Sequence, residues 1–301
     1  MPELQGVPLA NLPKVNMGVV GNQGLEVEAG YQKRFSNGFL FAVRGNFAYN
    51  RNIQREMDEA PLGEDYYCRY RREGYSIGQN FGYRIDYSNG NGYINTEEEL
   101  ELAKKMYRIG TPRLGDFKYQ DLNGDEYIDE KDMAPVGYSN VPRITYGMSF
   151  QADWKGVDFS FQLSGIGQAS RLYNSWGANE LGNEGIYNNV HKHAWTPERY
   201  AAGEKIEYPA LSTKFNVSNM VANDYFIMDR SFLRLKNIEL GYSLPVKWLR
   251  NVSLSKVRFY ISGNNLLTFK KIKMNSIDPE QNWEVNYPLT RMVNFGVNVV
   301  F

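Results

Sequence analysis

The sequence is first informative through what it lacks. It has one cysteine, Cys68, so it cannot form an internal disulfide. Its 34 basic and 34 acidic residues cancel, so it carries no overall field that would attract nucleic acid or an anionic membrane surface. No stretch reaches the roughly 18 consecutive apolar residues that a membrane-spanning helix needs. We therefore expect no nucleic-acid partner and no helical membrane anchor within these residues.

Groups arranged for catalysis are also missing. No Ser/His/Asp or Cys/His arrangement indicates nucleophilic catalysis. The acidic cluster at 97–101 is typical of a solvated helix face rather than of paired catalytic carboxylates. We expect no catalytic residues, no cofactor-binding residues and no enzyme activity.

The residues that are abundant favour β structure. The chain has 22 Tyr, 16 Phe and 5 Trp, which favour strands and membrane interfaces, and 28 Gly, which favour turns. The mean hydropathy is negative. A strand with one lipid-facing and one water-facing side also gives such an average, because its two faces cancel.

Period-two alternation of apolar and polar residues predicts seven strands. In the fifth predicted strand, which begins at residue 231, the apolar phase shifts from Leu233 and Leu235 to Ile238 and Leu240. This shift predicts a β-bulge near Lys236. The predicted strands lie at 25–35, 38–50, 143–154, 157–165, 231–244, 256–267 and 293–301.

The connections between these strands differ in length in a regular order. Short turns alternate with long segments, of which 51–142 and 166–230 are the longest. Alternate connections lie at the same end of an antiparallel sheet, so all long segments share one end. This layout is typical of outer-membrane barrels, with short periplasmic turns and long extracellular loops. The predicted fold class is therefore all-β, the C-terminal part of a large antiparallel transmembrane β-barrel.

The strand count indicates that the barrel is partial. We count seven strands, or nine if the first long loop contains a hairpin, whereas a bacterial barrel has an even number and at least eight. Seven strands alone would leave two unpaired edges in lipid. The alternative is a secreted, calcium-stabilised β-sandwich binding module, because sandwich strands also alternate.

Six segments carry a more specific signal. In chain order they resemble motifs of the SusC/RagA-like TonB-dependent outer-membrane receptors and transporters. The segments are 73–83, 115–125 (GDFKYQDLNGD), 142–158, 231–242 (SFLRLKNIELGY), 262–267 and 278–280, followed by the terminal Phe301. The resemblance extends over nearly all of residues 1–301, which we treat as one partial barrel.

The resemblance implies an importer of oligosaccharides or peptides in the cell outer membrane. Such a protein is a barrel of about 22 strands with an N-terminal plug. Its implied partners are outer-membrane lipids, a SusD-like surface lipoprotein, and the TonB complex through the N-terminal part. The start of the sequence, MPELQ, has neither the basic segment nor the apolar segment of a secretory signal. We therefore expect the plug, the TonB box and the signal to be missing from this chain.

One segment, 121–132, has the spacing of a calcium-binding loop. Oxygen ligands occur at positions 1, 3, 5, 9 and 12, with a backbone carbonyl at position 7, as in an EF-hand. Two departures are Glu126, where such loops have Gly, and an Asp in place of the final Glu. A solvated acidic turn is the alternative reading. The predicted Ca²⁺ ligands are Asp121, Asn123, Asp125, Tyr127, Asp129 and Asp132.

Two further features lie in the long loops. Thr96 and Glu99 form a capping-box pattern that predicts a short helix decorating the first loop. The second loop is rich in aromatic residues, which could stack on sugar rings, contact the lipoprotein, or pack within the protein. These residues are Tyr173, Trp176, Tyr187, Trp195 and Tyr200.

Overall fold

The computed structural model describes residues 18–174, 178, 180, 187–250, 254–281 and 289–301. Within this part of the chain, seven strands form one antiparallel sheet in the order β1-β2-β5-β6-β9-β10-β11. Their bounds are β1 Val19–Arg34, β2 Leu40–Glu56, β5 Ile144–Trp154, β6 Val157–Gly167, β9 Phe232–Ser243, β10 Lys256–Lys270 and β11 Met292–Val300.

All seven predicted strands are present. Two strands extend six residues beyond their predicted bounds: β1 begins at Val19, and β2 ends at Glu56, so the first long connection begins at residue 57. The predicted bulge is confirmed: Gln162 pairs with Asn237 and Leu163 with Leu235, which leaves Lys236 as the extra residue. The first loop does contain a strand pair, but it forms a separate small sheet, so the main sheet has seven strands.

The shorter elements lie in the connections. The described part of the chain contains no helix long and apolar enough to span a membrane. The shorter strands and helices of the connections are β3 Gln79–Gly82, α1 Glu97–Met106, β4 Ala134–Ser139, β7 Ser170–Leu172, α2 Pro197–Ala201, α3 Val217–Met220, β8 Ile227–Asp229 and α4 Val246–Leu249.

The register of the seven strands separates apolar from polar side chains. Because opposed residues of neighbouring strands point to the same face, each cross-strand row reveals the character of a face. One row is apolar and crosses four strands through Val43, Phe150, Phe161 and Ile238. The adjacent row is polar and consists of Arg44, Ser149, Gln162 and Asn237.

The apolar face of the sheet is not covered by a second layer. Leu25 is 60% exposed, Phe259 47% and Phe295 79%. A sandwich would bury these side chains between two sheets, so the β-sandwich alternative is wrong. The six strands other than β11 have 11 to 17 residues, and β11 has 9. The strands are thus long enough to cross a bilayer when tilted.

The sheet has two unlike ends. We call the end with the connections 35–39, 155–156 and 244–255 the turn end, and the end with 57–143, 168–231 and 271–291 the loop end. Residues of all three long connections pack into one hydrophobic cluster, which we call the loop core. Its most deeply buried members include Ile85, Phe117, Ile128, Tyr208, Phe226 and Met274.

Helix α1 is part of this core. As predicted, Thr96 is the N-cap, and its side chain accepts a hydrogen bond from the Glu99 amide. Leu100 and Ala103 are buried in the loop core. The expectation that the helix merely decorates the loop is therefore wrong, because its apolar face finds partners from distant parts of the chain.

The two faces of β6 give a matched test. Phe161 lies on the apolar face and the neighbouring Ser160 on the polar face. Because an arginine at the middle of the lipid-facing surface costs about 2–4 kcal/mol, we expect Phe161→Arg to lower the free energy of unfolding in lipid vesicles by that amount. Ser160→Arg is the control and should have a much smaller effect. Equal losses in a denaturant titration would contradict the assignment of the faces.

Candidate functional site

A buried aspartate joins the first long loop to the second. Asp116 is fully buried, and its Oδ1 accepts hydrogen bonds from the side-chain amides of Asn216 at 2.8 Å and Asn219 at 2.9 Å. Its Oδ2 accepts one from the Arg113 amide at 2.8 Å. Burial raises the pKa of Asp116, and the hydrogen bonds oppose this change. Such a group is tolerated only because its oxygens are satisfied.

The residues around Asp116 extend the same connection. The Phe117 amide donates to Asn219 Oδ1 at 3.0 Å, and the Tyr119 hydroxyl donates to the Ser218 carbonyl at 2.7 Å. Gly115 has φ +78°, and a Cβ there would lie 2.4 Å from the Trp195 ring. Both facts require glycine. The GDFKY segment that carries part of the resemblance is therefore the centre of the loop core.

An ion cluster at the loop end of the polar face joins two other segments. Arg234 on β9 is 1% exposed and contacts Asp278 at 2.6 Å and the Glu280 carboxylate. Lys236 Nζ also contacts Glu280, at 2.6 Å. Arg234 Nε donates to the Thr268 hydroxyl on β10 at 2.9 Å. This cluster holds the third long connection against the wall of the sheet.

The polar face forms an open groove between strands. Its volume is about 600 Å³, and its polar lining includes Arg44, Gln151, Gln162 and Asn237. Nearer the turn end, Arg258 is paired with both Asp158 and Glu239. Charged and amide groups on this face suit a water-filled interior and polar solutes, whereas the opposite face is mainly apolar.

The predicted calcium loop is closed by its own backbone amides. Asp121 accepts from the amides of Gly124 at 2.7 Å and Glu126 at 2.8 Å. Asp132 is fully buried and accepts from the amides of Leu122 at 2.8 Å and Asp129 at 3.0 Å. Burial raises the pKa of Asp132.

The donor set fits a calcium ion only in part. Glu126 has φ +67°, so it makes the sharp turn for which an EF-hand uses glycine at this position. Among the described residues, however, no three His, Cys, Asp or Glu side chains converge closely enough to hold a metal ion. The Ca²⁺ site at Asp121, Asn123, Asp125, Tyr127, Asp129 and Asp132 stays a prediction.

The aromatic residues of the second loop divide into two groups. Tyr173 and Trp195 are buried in the loop core, so they are unable to stack on a sugar. Tyr187 is 65% exposed and Tyr200 42% exposed, so these two remain accessible. Trp176 lies outside the described residues.

The fold and its faces define a class. A single antiparallel sheet with long strands, one exposed apolar face, one polar face and all long connections at one end is part of the wall of a large transmembrane β-barrel. The polar interior and the built-up loop end are the features on which a function would depend.

Comparisons with known proteins show which proteins this chain resembles. No family model matches the chain. The sequence is similar to TonB-dependent receptor P3 of Formosa agariphila, at 27% identity over 333 aligned residues covering 100% of this chain and 30% of that receptor. It is also similar to TonB-dependent receptor SusC of Bacteroides thetaiotaomicron, at 24% identity over 298 residues, 95% of this chain and 27% of SusC. The chain thus spans less than a third of these relatives.

Solved structures agree on the fold. A structure of the RagAB peptide transporter superposes with a TM-score of 0.63 at 18% identity, over 94% of this chain and 29% of that chain. The same transporter in its closed-closed state gives a TM-score of 0.61 at 20% identity. The resemblance to SusC/RagA-like TonB-dependent receptors is therefore confirmed. These relatives are named as receptors and transporters.

Sequence reasoning missed the two polar connections. Asp116 and Arg234 lie inside segments that carry the resemblance, but no local pattern gives their partners, which are 100 and 44 residues away. The signal that could have indicated the ion cluster was charge complementarity between an Arg and a Lys in the 231–242 segment and two carboxylates in the 278–280 segment.

A half-buried carboxylate next to the loop core makes this region sensitive to pH. Asp224 accepts from the Ile85 amide at 3.3 Å, and burial raises its pKa from 3.8 to about 6. A raised pKa favours the protonated folded state, so this contribution is full below 3.8 and is lost as the pH rises through about 6. Between low pH and pH 7, the contribution of Asp224 to the free energy of unfolding falls by at most about 3 kcal/mol, and by less because the side chain is partly exposed.

We therefore expect the Ile85 amide to be better protected from hydrogen exchange at pH 5 than at pH 7, after correction for intrinsic exchange rates. Asp224→Asn should remove most of that difference, because the amide stays neutral while its oxygen still accepts the hydrogen bond. An unchanged pH dependence in the variant would show that another group is responsible.

Proposed function

We propose that this chain forms part of the wall and the extracellular loops of a TonB-dependent importer in the outer membrane. The observation that supports this proposal best is the combination of an exposed apolar face, a polar opposite face and a loop end with its own core. On this proposal the loop end is extracellular and the turn end periplasmic. The transported substrates are oligosaccharides or peptides, which suit the amide-rich polar face.

The proposed partners are suggested by the relatives and by the two unlike ends of the sheet. SusC and the RagAB peptide transporter are among the similar proteins. We propose that a SusD-like surface lipoprotein covers the loop end, where Tyr187 and Tyr200 are exposed. Energy would come from the TonB complex through a part of the full-length protein outside these residues. Outer-membrane lipids would contact the apolar face.

The importer is tested by deleting the gene and comparing growth on single nutrient sources. We expect the deletion strain to grow normally on monosaccharides and amino acids, and to lose growth on either oligosaccharides or oligopeptides. The class that fails identifies the substrate. Reintroduction of the gene should restore growth. Normal growth on both classes, or recovery of the protein from the soluble secreted fraction, would contradict the proposal.

We also propose that Ca²⁺ stiffens the 121–132 loop. The hydrogen bonds that the Asp132 carboxylate accepts from the amides of Leu122 and Asp129, and the sharp turn at Glu126, support a compact loop that a cation would stabilise further. In the full-length protein, the loop would bind the ion through the six predicted ligands and would supply structural stability, with no catalytic part.

Calcium binding is tested by thermal unfolding of the detergent-solubilised protein. A ligand that binds only the folded state raises the melting temperature, so we expect a higher Tm with Ca²⁺ than with a chelator. Asp125→Ala removes the side-chain oxygen ligand, so it should abolish the increase. Glu126→Gln removes one charge from a position outside the ligand set, so it should retain the increase. If the Tm of the unmodified protein is the same with Ca²⁺ and with a chelator, the site is refuted.

A further inference from the structure

The short helix α4 lies in the last connection of the turn end. Val246 is 62% exposed and Trp248 67% exposed, whereas Leu249 is 4% exposed. Lys247 and Arg250 flank these residues, and both are exposed. Two large apolar side chains and two cations therefore point to the surroundings from a single helical turn.

The position of α4 relative to the sheet follows from burial. Helix α4 contacts β10. Val257 on β10 is opposite Val299, and it shares the apolar face with Phe259 and Ile261. Whereas Phe259 is 47% exposed, Val257 is 7% exposed. Leu249 is the buried residue of α4, and α4 packs against the strand that carries Val257. The helix thus lies next to the apolar face at the turn end.

The neighbouring turns carry similar groups. Lys33 Nζ lies 4.9 Å from the centre of the Phe35 ring, and Lys155 Nζ lies 4.6 Å from the Trp154 ring. Phe35 and Trp154 are both exposed. Aromatic rings accompanied by cations are typical of the boundary between headgroups and acyl chains. The turn end therefore has the chemistry of a membrane interface at three separate connections.

We propose that α4 is an interfacial anchor that binds a phospholipid surface. Val246 and Trp248 enter the boundary between the acyl chains and the headgroups, and Lys247 and Arg250 bind headgroup phosphates. The inference rests on the proposed function, because the apolar face of β10 must itself face lipid.

A phospholipid layer fits α4 better than a protein partner would. The exposed Val246 and Trp248 lie next to the apolar face of the sheet, because α4 packs against β10. The cations of α4 complement the negative headgroups, and an in-plane helix with apolar and basic sides is the form that such layers bind. A periplasmic protein at this position would have to displace the lipid next to β10.

The anchor is tested with a polarity-sensitive dye on single cysteines of the full-length protein in a Cys68→Ser background. Three positions are compared: Val246→Cys on α4, Phe259→Cys on the sheet face, and Lys214→Cys as the control at the loop end. The protein is reconstituted in phosphatidylcholine vesicles whose lipids carry a nitroxide quencher either near the headgroup or deep in the acyl chain.

We expect the dye at 246 to be quenched most by the shallow nitroxide, the dye at 259 most by the deep nitroxide, and the dye at 214 by neither. If the dye at 246 behaves like the control while that at 259 is quenched, the anchor is refuted and the membrane barrel stands. If the dye at 259 is not quenched, the proposed membrane barrel fails, and the anchor fails with it.

The role of the cations is tested separately. Adding phosphatidylglycerol to the vesicles should strengthen shallow quenching at 246 and shift the dye emission to shorter wavelength. In a Lys247→Gln, Arg250→Gln double variant, this response should be lost while quenching in pure phosphatidylcholine persists. A response that the double variant retains would refute headgroup binding by these two residues.

Discussion

The structure depends on one constraint: the apolar residues of seven strands must remain on the same face. A slip of one residue in any strand would move its side chains to the opposite face. The extra residue at Lys236 shows how the constraint is met where the sequence departs from strict alternation. The bulge absorbs one residue, so that Leu235 and Ile238 can both face the same way as Leu163 and Phe161.

This constraint leaves the sheet without a core of its own. Among the described residues, large apolar side chains of its apolar face such as Leu25, Phe259 and Phe295 are exposed, so the folded core lies elsewhere. It lies at the loop end, where three connections share one hydrophobic cluster. The loops are therefore a packed body, and a partner at this end would meet a surface with a defined shape.

Buried charges determine how that body is attached. Asp116 joins the first two long connections, and Arg234 joins the third to the wall. Removing one member of such a group leaves the others buried without a partner, which is costly. Both attachments lie in segments that carry the resemblance to TonB-dependent receptors, 115–125 and 231–242.

The sequence alone was sufficient for the seven strands, the bulge, the placement of the long loops at one end and the cap of α1, because these depend on periodicity and on neighbours within a few residues. The sequence also indicated a Ca²⁺ site in the 121–132 loop, which remains a prediction. Only the tertiary structure decided that α1 is part of a core, that Tyr173 and Trp195 are buried, and that α4 packs against β10. These outcomes depend on contacts between residues far apart in the chain, and local pattern carries no information about which distant segments will meet.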